Sequence, residues 1–399
     1  VSSGVSAVAL GDGAAATAGN AIATGSNAKA LAENAMALGT SSEASGIGST
    51  AVGDRAVASG QQSFAAGIQA QAAAENTFAG GTQSQATGSH AVALGGYANA
   101  SGTNAFAAGV SANASGQNSA AIGTGAVSSG ANALTFGNNA MAQGMQALAL
   151  GQAARAAADH TIAIGAGANA NSQQSIALGQ SAQAVANGAV AAGANARAVA
   201  ADTVAIGQGA IAASENTVAI GANANAMAVN SIALGESAVA HAEGSFAGGR
   251  NAEAVGVNSL ALGDSAVALG VNSVALGAGV TAVEDYSVTF GVNNDVTGQN
   301  ALAMGSKVKV EGGIENSALG TNLDISGGSH NTVMGNNITV RGNNNSIFGD
   351  PVVVTGQYNV FGVSGDGYIT GNNNVGQVTG NPEIVGLSLI HISEPTRPY

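Results

Sequence analysis

The sequence predicts an all-β fold, a single-chain β-solenoid with two short strands in each coil of fourteen residues. A glycine recurs every fourteen residues at twenty-two consecutive positions, from Gly11 to Gly305. Near-copies of one motif end at these glycines, TVAIG at Gly207 and SIALG at Gly235. A fixed period of this kind is typical of solenoids. The frequent glycines and an apolar period of two both oppose a helix.

The first strand of each coil is predicted just before this glycine, which we call the station glycine. The residue two before it is Ala in twenty of the twenty-two coils, and the residue three before it is bulky and apolar in twenty. Neighbouring positions of a strand point to opposite faces. The first strand should therefore have one small face and one large apolar face.

The second strand is predicted after the station glycine, where Ala stands at the fifth residue in nineteen coils. Ala or Ser nearly always stands at the third residue, as at Ala196. We expect two strands of about five residues per coil, with turns at the station glycine and at the seventh residue after it. If the two Ala-lined faces oppose each other, only methyl groups fill the interior.

Asparagine occupies the corner five residues before the station glycine in half of the coils. Three of these stand in consecutive coils, at Asn104, Asn118 and Asn132. Neighbouring coils of a solenoid lie about 4.8 Å apart. We therefore expect the side-chain amides to form a ladder of hydrogen bonds from coil to coil.

The two outward faces of the coils differ in polarity. On the second strand they carry mostly polar residues, including Arg155 and Arg197, which are possible contacts for acidic ligand groups or simply solvated charges. On the first strand they carry paired apolar rows, which burial by another chain would stabilise strongly. The predicted interface residues are Ile162, Ile164, Ile176, Leu178, Val204, Ile206, Val218, Ile220, Ile232, Leu234, Leu260, Leu262, Val274 and Leu276.

A volume rule within the apolar rows supports close packing. Wherever Phe stands three before the station glycine, a small residue stands two positions later, as with Phe78 and Gly80 or Phe246 and Gly248. Compensation of large by small side chains is what a packed surface requires. Chance is the alternative, because Ala and Gly are abundant in this chain.

Composition excludes several other classes of protein. The chain of 399 residues carries nine Lys and Arg against 22 Asp and Glu, a net charge of -13, so nucleic acid is not an expected partner. It has no Cys, and its five His are dispersed, so no metal or cofactor is expected. No apolar run reaches the length of a membrane span. No carboxylate pair or Ser-His-Asp set converges, so we do not expect an enzyme.

The pattern SVALG, with Ala three and five residues after the glycine, resembles the head of YadA-type trimeric autotransporter adhesins from Val1 to about Gly305. The resemblance implies a left-handed parallel β-roll that assembles as a parallel homotrimer. It also implies display on a Gram-negative cell surface, with a stalk and an outer-membrane barrel beyond this chain, and binding to matrix or host-surface ligands. Alternatives are a phage tail fibre or an ice-binding solenoid, although the latter needs a regular outward rank of Thr.

The repeat changes towards the C-terminus. We assign residues 1–305 to the regular head and residues 306–386 to a variant continuation, with intervals of fifteen, fifteen, fourteen, thirteen and fourteen residues. These intervals place station glycines at Gly320, Gly335, Gly349, Gly362 and Gly376. Residues 387–399 begin LSLIHIS and resemble a translated sequencing adaptor, so we expect them to form no further coil.

Overall fold

The computed structural model describes residues 1–379, 383–387 and 390–392 and confirms the predicted parallel β-solenoid. The described residues form strands and turns, without a helix. Most strands pair in parallel with the strand fourteen residues further on, so that Val8 lies beside Ile22 and Leu10 beside Thr24. Contacts divide the chain into two units, Val1–Asp202 and Thr203–Tyr399, which are described separately.

In the first unit every coil has the same two short strands. The first strands are Val8–Leu10, Ile22–Thr24, Met36–Leu38, Thr50–Val52, Phe64–Ala66, Phe78–Gly80, Val92–Leu94, Phe106–Ala108, Ala120–Ile122, Leu134–Phe136, Leu148–Leu150, Ile162–Ile164, Ile176–Leu178 and Val190–Ala192. The second strands are Ala15–Ala16, Lys29–Ala30, Glu43–Ala44, Val57–Ala58, Gln71–Ala72, Gln85–Ala86, Asn99–Ala100, Asn113–Ala114, Val127–Ser128, Met141–Ala142, Arg155–Ala156, Asn169–Ala170, Gln183–Ala184 and Arg197–Ala198.

The second unit begins with the same coils and then acquires longer strands. Its first strands are Val204–Ile206, Val218–Ile220, Ile232–Leu234, Phe246–Gly248, Leu260–Leu262, Val274–Ala278, Val288–Val292, Leu302–Ser306, Ser317–Thr321 and Thr332–Asn336. Its second strands are Ile211–Ala212, Asn225–Ala226, Val239–Ala240, Glu253–Ala254, Val267–Ala268, Thr281–Ala282, Asp295–Val296, Lys309–Glu311, Asp324–Ser326 and Ile338–Arg341. The remaining strands are Ser346–Thr355, Val360–Asn372, Val375–Thr379, Glu383–Leu387 and Ile390–Ile392.

The regular strands have three and two residues, so the predicted length of about five residues is wrong. Each regular coil spends three residues on each of its two turns, at the station glycine and at the seventh residue after it, where turns were predicted. The first strand runs directly into the turn at the station glycine, whereas one linking residue stands at each of the other three junctions of the coil. Turns and linking residues therefore make up most of the fourteen residues, and the strands between them are short.

The station glycine has a backbone that other residues adopt poorly. Gly165 has a φ of +129°, and a Cβ added to it would lie 2.4 Å from the carbonyl oxygen of Gly179 in the next coil. L-residues avoid this conformation, and the neighbouring coil leaves no space for a side chain. Both restrictions recur at the next station, which explains why the glycine is repeated.

The predicted asparagine ladder is confirmed. Asn104 Nδ2 donates to Asn118 Oδ1 at 2.9 Å, and Asn118 Nδ2 donates to Asn132 Oδ1 at 3.1 Å. These residues also have left-handed backbones, with φ between 54° and 57°. Asn tolerates that conformation better than most residues. The corner therefore selects Asn for its backbone as well as for its side-chain amide.

The core of the regular coils consists mainly of alanine methyl groups, as predicted. Ala163 and Ala170 in the first unit and Ala219 and Ala226 in the second are all fully buried. The prediction that methyl groups alone fill the core is wrong, because in thirteen of the twenty-two coils a Ser or Thr points inward four residues before the station glycine. Thr161 Oγ1 donates to the carbonyl of Ala158 at 2.6 Å, whereas the hydroxyls of Ser49, Ser63, Ser119, Ser231 and Ser259 have no hydrogen-bond partner.

Larger side chains replace alanine in the C-terminal coils. Ile338, Val340, Val352 and Val354 are buried in one cluster, so these β-branched side chains point inward. The strands lengthen as well, and Val274–Ala278 is the earliest of the first strands with five residues.

A ladder of buried asparagines accompanies the larger core, at the position that holds Ser, Thr or Ala in the regular coils. Asn345 Nδ2 donates to Asn331 Oδ1 at 3.0 Å and to the carbonyl of Gly356 at 3.0 Å. Asn359 Nδ2 in turn donates to Asn345 Oδ1 at 3.0 Å. The asparagines of this ladder therefore hold neighbouring coils together from inside.

Two of the predicted C-terminal station glycines are wrong. The residue paired with Gly349 is Val363, and Gly362 pairs instead with Phe348. Gly376 pairs with Phe361, whose side chain is buried in the core. The register follows the inward placement of the large Phe361 side chain rather than the nearest glycine. The intervals after Gly349 are therefore fourteen and fifteen residues.

The expectation that residues 387–399 form no further coil is wrong for the part that the structure describes. Leu387 pairs with Asn372, and Ile390–Ile392 pairs in parallel with Val375 to Gln377. The edge of a β-sheet has free N–H and C=O groups, to which a segment of alternating apolar residues can add. Residues 388–389 and 393–399 lie outside the described residues, and the non-native origin of residues 387–399 stays a prediction.

Candidate functional site

The apolar outer face of the first unit is formed by the first strands. Ile162 pairs with Ile176 and Ile164 with Leu178, so the four predicted residues form two columns, one coil above the other. None of the four is buried, and 36% of Leu178 is exposed. Stacked neighbours cover the flanks of each side chain, whereas the outward ends remain open to solvent.

The second unit has the same two columns. Val204 pairs with Val218, and Ile206 pairs with Ile220, with 40% and 39% of the latter two exposed. The structure brings every predicted residue of this unit into one of the two columns. One column holds Val204, Val218, Ile232, Leu260 and Val274, and the other holds Ile206, Ile220, Leu234, Leu262 and Leu276.

The volume rule for phenylalanine has a cause within the chain. A Cβ added to Gly80 would lie 2.8 Å from Cε1 of Phe78 and 3.2 Å from Cδ2 of Leu94. The aromatic ring therefore covers its own strand. The rings of Phe64 and Phe78 also stack, with centroids 5.1 Å apart. The rule consequently gives no independent support for a partner chain, and the exposed columns carry that inference alone.

The apolar columns continue into C-terminal coils that the predicted interface did not include. Leu302, Met304, Leu319 and Met334 lie on the outer face of the longer first strands and are exposed. A small apolar cavity of about 180 Å³ opens among them, where Ser317 and Thr332 replace the bulky residues of earlier coils. The regular alternation of Leu and Met with Ala was the sequence signal for this extension.

The two arginines singled out on the polar face do not form a joint site. Arg155 and Arg197 are exposed in the same column of second strands, three coils apart, or about 14 Å. Asn169 and Gln183 lie between them in that column. Each arginine is therefore a separate surface cation.

Surface ion pairs instead link neighbouring positions elsewhere in the second unit. Arg250 Nη2 donates to Asp264 Oδ2 at 2.6 Å, and this hydrogen bond lowers the pKa of the Asp264 carboxyl and raises that of Arg250. Lys309 lies 2.6 Å from Glu311, whose hydrogen bond raises the lysine pKa. Such exposed pairs contribute little to stability.

The histidines make separate local contacts. The Nε2 atom of His241 lies 3.3 Å from Oε1 of Glu253, and that of His330 lies 3.4 Å from Oε2 of Glu315. Among the described residues no three His, Cys, Asp or Glu side chains form a group suited to a metal. The same residues contain no helix with the length and apolarity of a membrane span.

A core filled within each coil, one apolar outer face and one polar outer face define a structural β-solenoid. The family model described as YadA head domain repeat (2 copies) matches the chain at residues 2–28, 30–56, 58–84, 81–98, 86–112, 100–126, 114–140, 142–168, 170–196, 198–224, 228–252 and 254–279. These matches cover more than half of the chain, which therefore belongs to the YadA head family. No curated protein gave a match.

The family matches end at residue 279, within one residue of the end of the strand Val274–Ala278. That strand is where the first strands lengthen from three to five residues. The end of the matches therefore coincides with a change in the coil itself.

Proposed function

We propose that the chain is the extracellular head of a trimeric autotransporter adhesin, displayed on a Gram-negative cell and attaching it to host matrix, host cells or other bacteria. Residues 1–305 are its regular head and residues 306–386 their continuation. The molecule acts by binding rather than by catalysis, and it needs no cofactor. Family membership supports the adhesin class, and the exposed apolar columns support the assembly.

The columns of half-exposed apolar side chains are the observation that carries this proposal. Their own coils cannot bury them further, because alanine already fills the interior and is fully buried. Full burial of a Val, Leu or Ile side chain contributes about 1.5–3 kcal/mol, so even partial cover along many coils outweighs the other interactions available. Parallel copies around a common axis cover the columns of every copy alike. The proposed number of three chains comes from the family.

A charge placed in one column tests the assembly. Ile220→Lys adds one ammonium group per copy near the proposed axis, and it should shift sedimentation from trimer to smaller species without loss of the β-sheet circular dichroism signal. Val239→Lys is the matched control, because Val239 points outward from the second strand between Asn225 and Glu253. A soluble monomer formed by the unchanged chain at micromolar concentration would contradict the assembly.

The polar face of the second strands is the proposed adhesive surface. Its outward residues differ from coil to coil, so many weak contacts along repeated coils supply the attachment. Arg155 and Arg197 are proposed contacts for acidic groups of the ligand, each acting alone.

Adhesion should depend on the number of coils. Variants lacking one, two or four whole fourteen-residue coils of the first unit should bind a coated basement-membrane matrix with stepwise weaker avidity, because each coil adds local contacts. The control is a variant from which the same number of coils has been deleted at a different place in the first unit. Abrupt loss on removal of one particular coil would replace the distributed mechanism with a discrete site.

A further inference from the structure

A polar cleft of about 620 Å³ lies on the outer surface of the first unit, formed by side chains from four neighbouring coils. Two columns of side chains form it. The turn column holds the second residue after each station glycine, and the strand column holds the fourth. The turn column is Arg55, Gln69, Gln83 and Tyr97, and the strand column contributes Gln71, Gln85 and Asn99.

The backbone fixes how these side chains are presented. All four residues of the turn column have left-handed backbones, with φ between 54° and 60°. The residues between the two columns, such as Ala70 and Ala98, point inward and are fully buried. Side chains therefore project on both sides of a strip of bare backbone, which gives the surface its concave shape.

The cleft carries primary amides and almost no net charge. The guanidinium of Arg55 is engaged by Asp54, with Nη2 to Oδ2 at 3.0 Å. Gln83 Nε2 donates to Gln69 Oε1 at 2.6 Å, which leaves the second amide hydrogen of Gln83 and the amide nitrogen of Gln69 available. The ligand that matches this surface is neutral and rich in groups that both donate and accept hydrogen bonds.

We propose that this cleft binds a neutral oligosaccharide laid along the stack of coils. A Gln or Asn amide has two N–H donors and one acceptor oxygen, and those that Gln69, Gln83 and Asn99 do not use in bonds within the chain can pair with adjacent sugar hydroxyl groups. Tyr97, which is 59% exposed at one end of the cleft, offers a ring face for the apolar C–H face of a sugar and a hydroxyl at its edge. The four coils span three steps, about 14 Å, enough for a short oligosaccharide.

The same surface is poorly suited to a peptide. An extended peptide is usually bound at an open sheet edge or through side chains inserted into pockets. Here the backbone is already paired, since the N–H groups of Gln71 and Gln85 donate to Ser84 and Ala98 of the next coil. The residues beneath the cleft are fully buried alanine and serine, so no apolar pocket opens between the columns.

The amide run is also not required by the fold. The strand column contains Val57 beside Gln71, and it contains Val127 and Met141 in later coils with the same backbone pairing. The solenoid therefore tolerates apolar residues where the cleft has amides. This discrete site goes beyond the distributed attachment proposed above.

Binding of defined sugars by the full chain tests the proposal. Isothermal titration with maltotriose, lacto-N-tetraose and tri-N-acetylchitotriose should give saturable binding of at least one, at one site per chain. Tyr97→Asn keeps the left-handed backbone and should weaken that binding at least tenfold. Gln85→Val should weaken it as well, because the change removes one amide from the cleft. The fold should tolerate this change, since Val57 occurs in the same column.

Tyr286→Asn is the matched control, since Tyr286 also has a left-handed backbone, with φ of 57°, and is 54% exposed. It should leave the affinity unchanged. The proposal would be overturned if none of the three sugars bound saturably. It would also be overturned if Tyr286→Asn lost as much affinity as Tyr97→Asn. Binding of a heparin-derived oligosaccharide or a collagen-like peptide in this cleft, with none of the neutral sugars, would also overturn it. Each of these outcomes can occur whether or not the chain forms a trimeric adhesin.

Discussion

Single residues in this solenoid are selected mainly by backbone conformation. The station glycine was predictable from its period, because a residue repeated without exception at a turn signals a conformational requirement. The left-handed corner residues were harder to recognise, since Asn104, Gln83, Arg55 and Tyr97 all adopt that conformation. Asn marks the corner of Asn104 in half of the coils, whereas the varied residues at the corner of Gln83, Arg55 and Tyr97 leave no common pattern in the sequence.

Substitution of a station glycine should destabilise the solenoid strongly. Gly165→Ala combines an unfavourable backbone with a clash against the carbonyl of Gly179, for an expected loss of about 2–5 kcal/mol. Gly167→Asn is the control, because its φ of 67° suits Asn and its nearest contact is Ser181 Oγ at 3.6 Å. Its effect should stay below about 1 kcal/mol. The measurement is the urea midpoint of each variant, and equal midpoints would refute the steric explanation.

At the scale of strands, alternation predicted which face points inward, but it did not predict the register of the last coils. Ala205 and Ile206 illustrate the success, one fully buried and the other 40% exposed. Gly362 illustrates the failure, because the position that follows Gly349 in register holds Val363 rather than a glycine, and Phe361 is buried at the inward position two residues before it. Spacing alone carries no information about which large side chain the core accommodates.

The buried asparagine ladder should be essential to the C-terminal coils. Asn345→Leu removes the acceptor for the backbone N–H and side-chain amide of Asn359, which bond to Asn345 Oδ1 at 3.1 and 3.0 Å. Two buried donors without partners should cost about 2–5 kcal/mol.

An exposed amide pair supplies the control for the ladder. Asn322 donates to Asn337 Oδ1 at 3.0 Å on the surface, and Asn322→Gly keeps the left-handed backbone. Its effect should remain within about 0.5 kcal/mol. Thermal unfolding followed by circular dichroism compares the two variants, and a similar small shift for both would show that the buried ladder is dispensable.

At the scale of the whole molecule, the sequence predicted a core filled within each coil and an apolar outer face that the chain itself does not cover. These two features together point to assembly. Ile162 and Ile164 could be assigned to one outer face because their spacing of two and the fourteen-residue repeat define a column. The cleft at Gln71 and Tyr97 escaped prediction. Its shape depends on side chains from the turn and from the strand that project on either side of the backbone in four coils. Residue spacing alone does not give that arrangement.

The coil-to-coil hydrogen bonds also determine how the protein responds to mechanical force. Within each unit they join a residue to its counterpart in the next coil, so tension along the stack loads successive coils in series. A released coil of fourteen residues lengthens from about 4.8 Å to about 46 Å. Single-molecule pulling on one chain should therefore show many similar steps of about 40 Å, whereas one rupture for the whole chain would contradict this. Under the attachment function proposed above, a cell held in flow would be tethered by a chain that extends coil by coil under load.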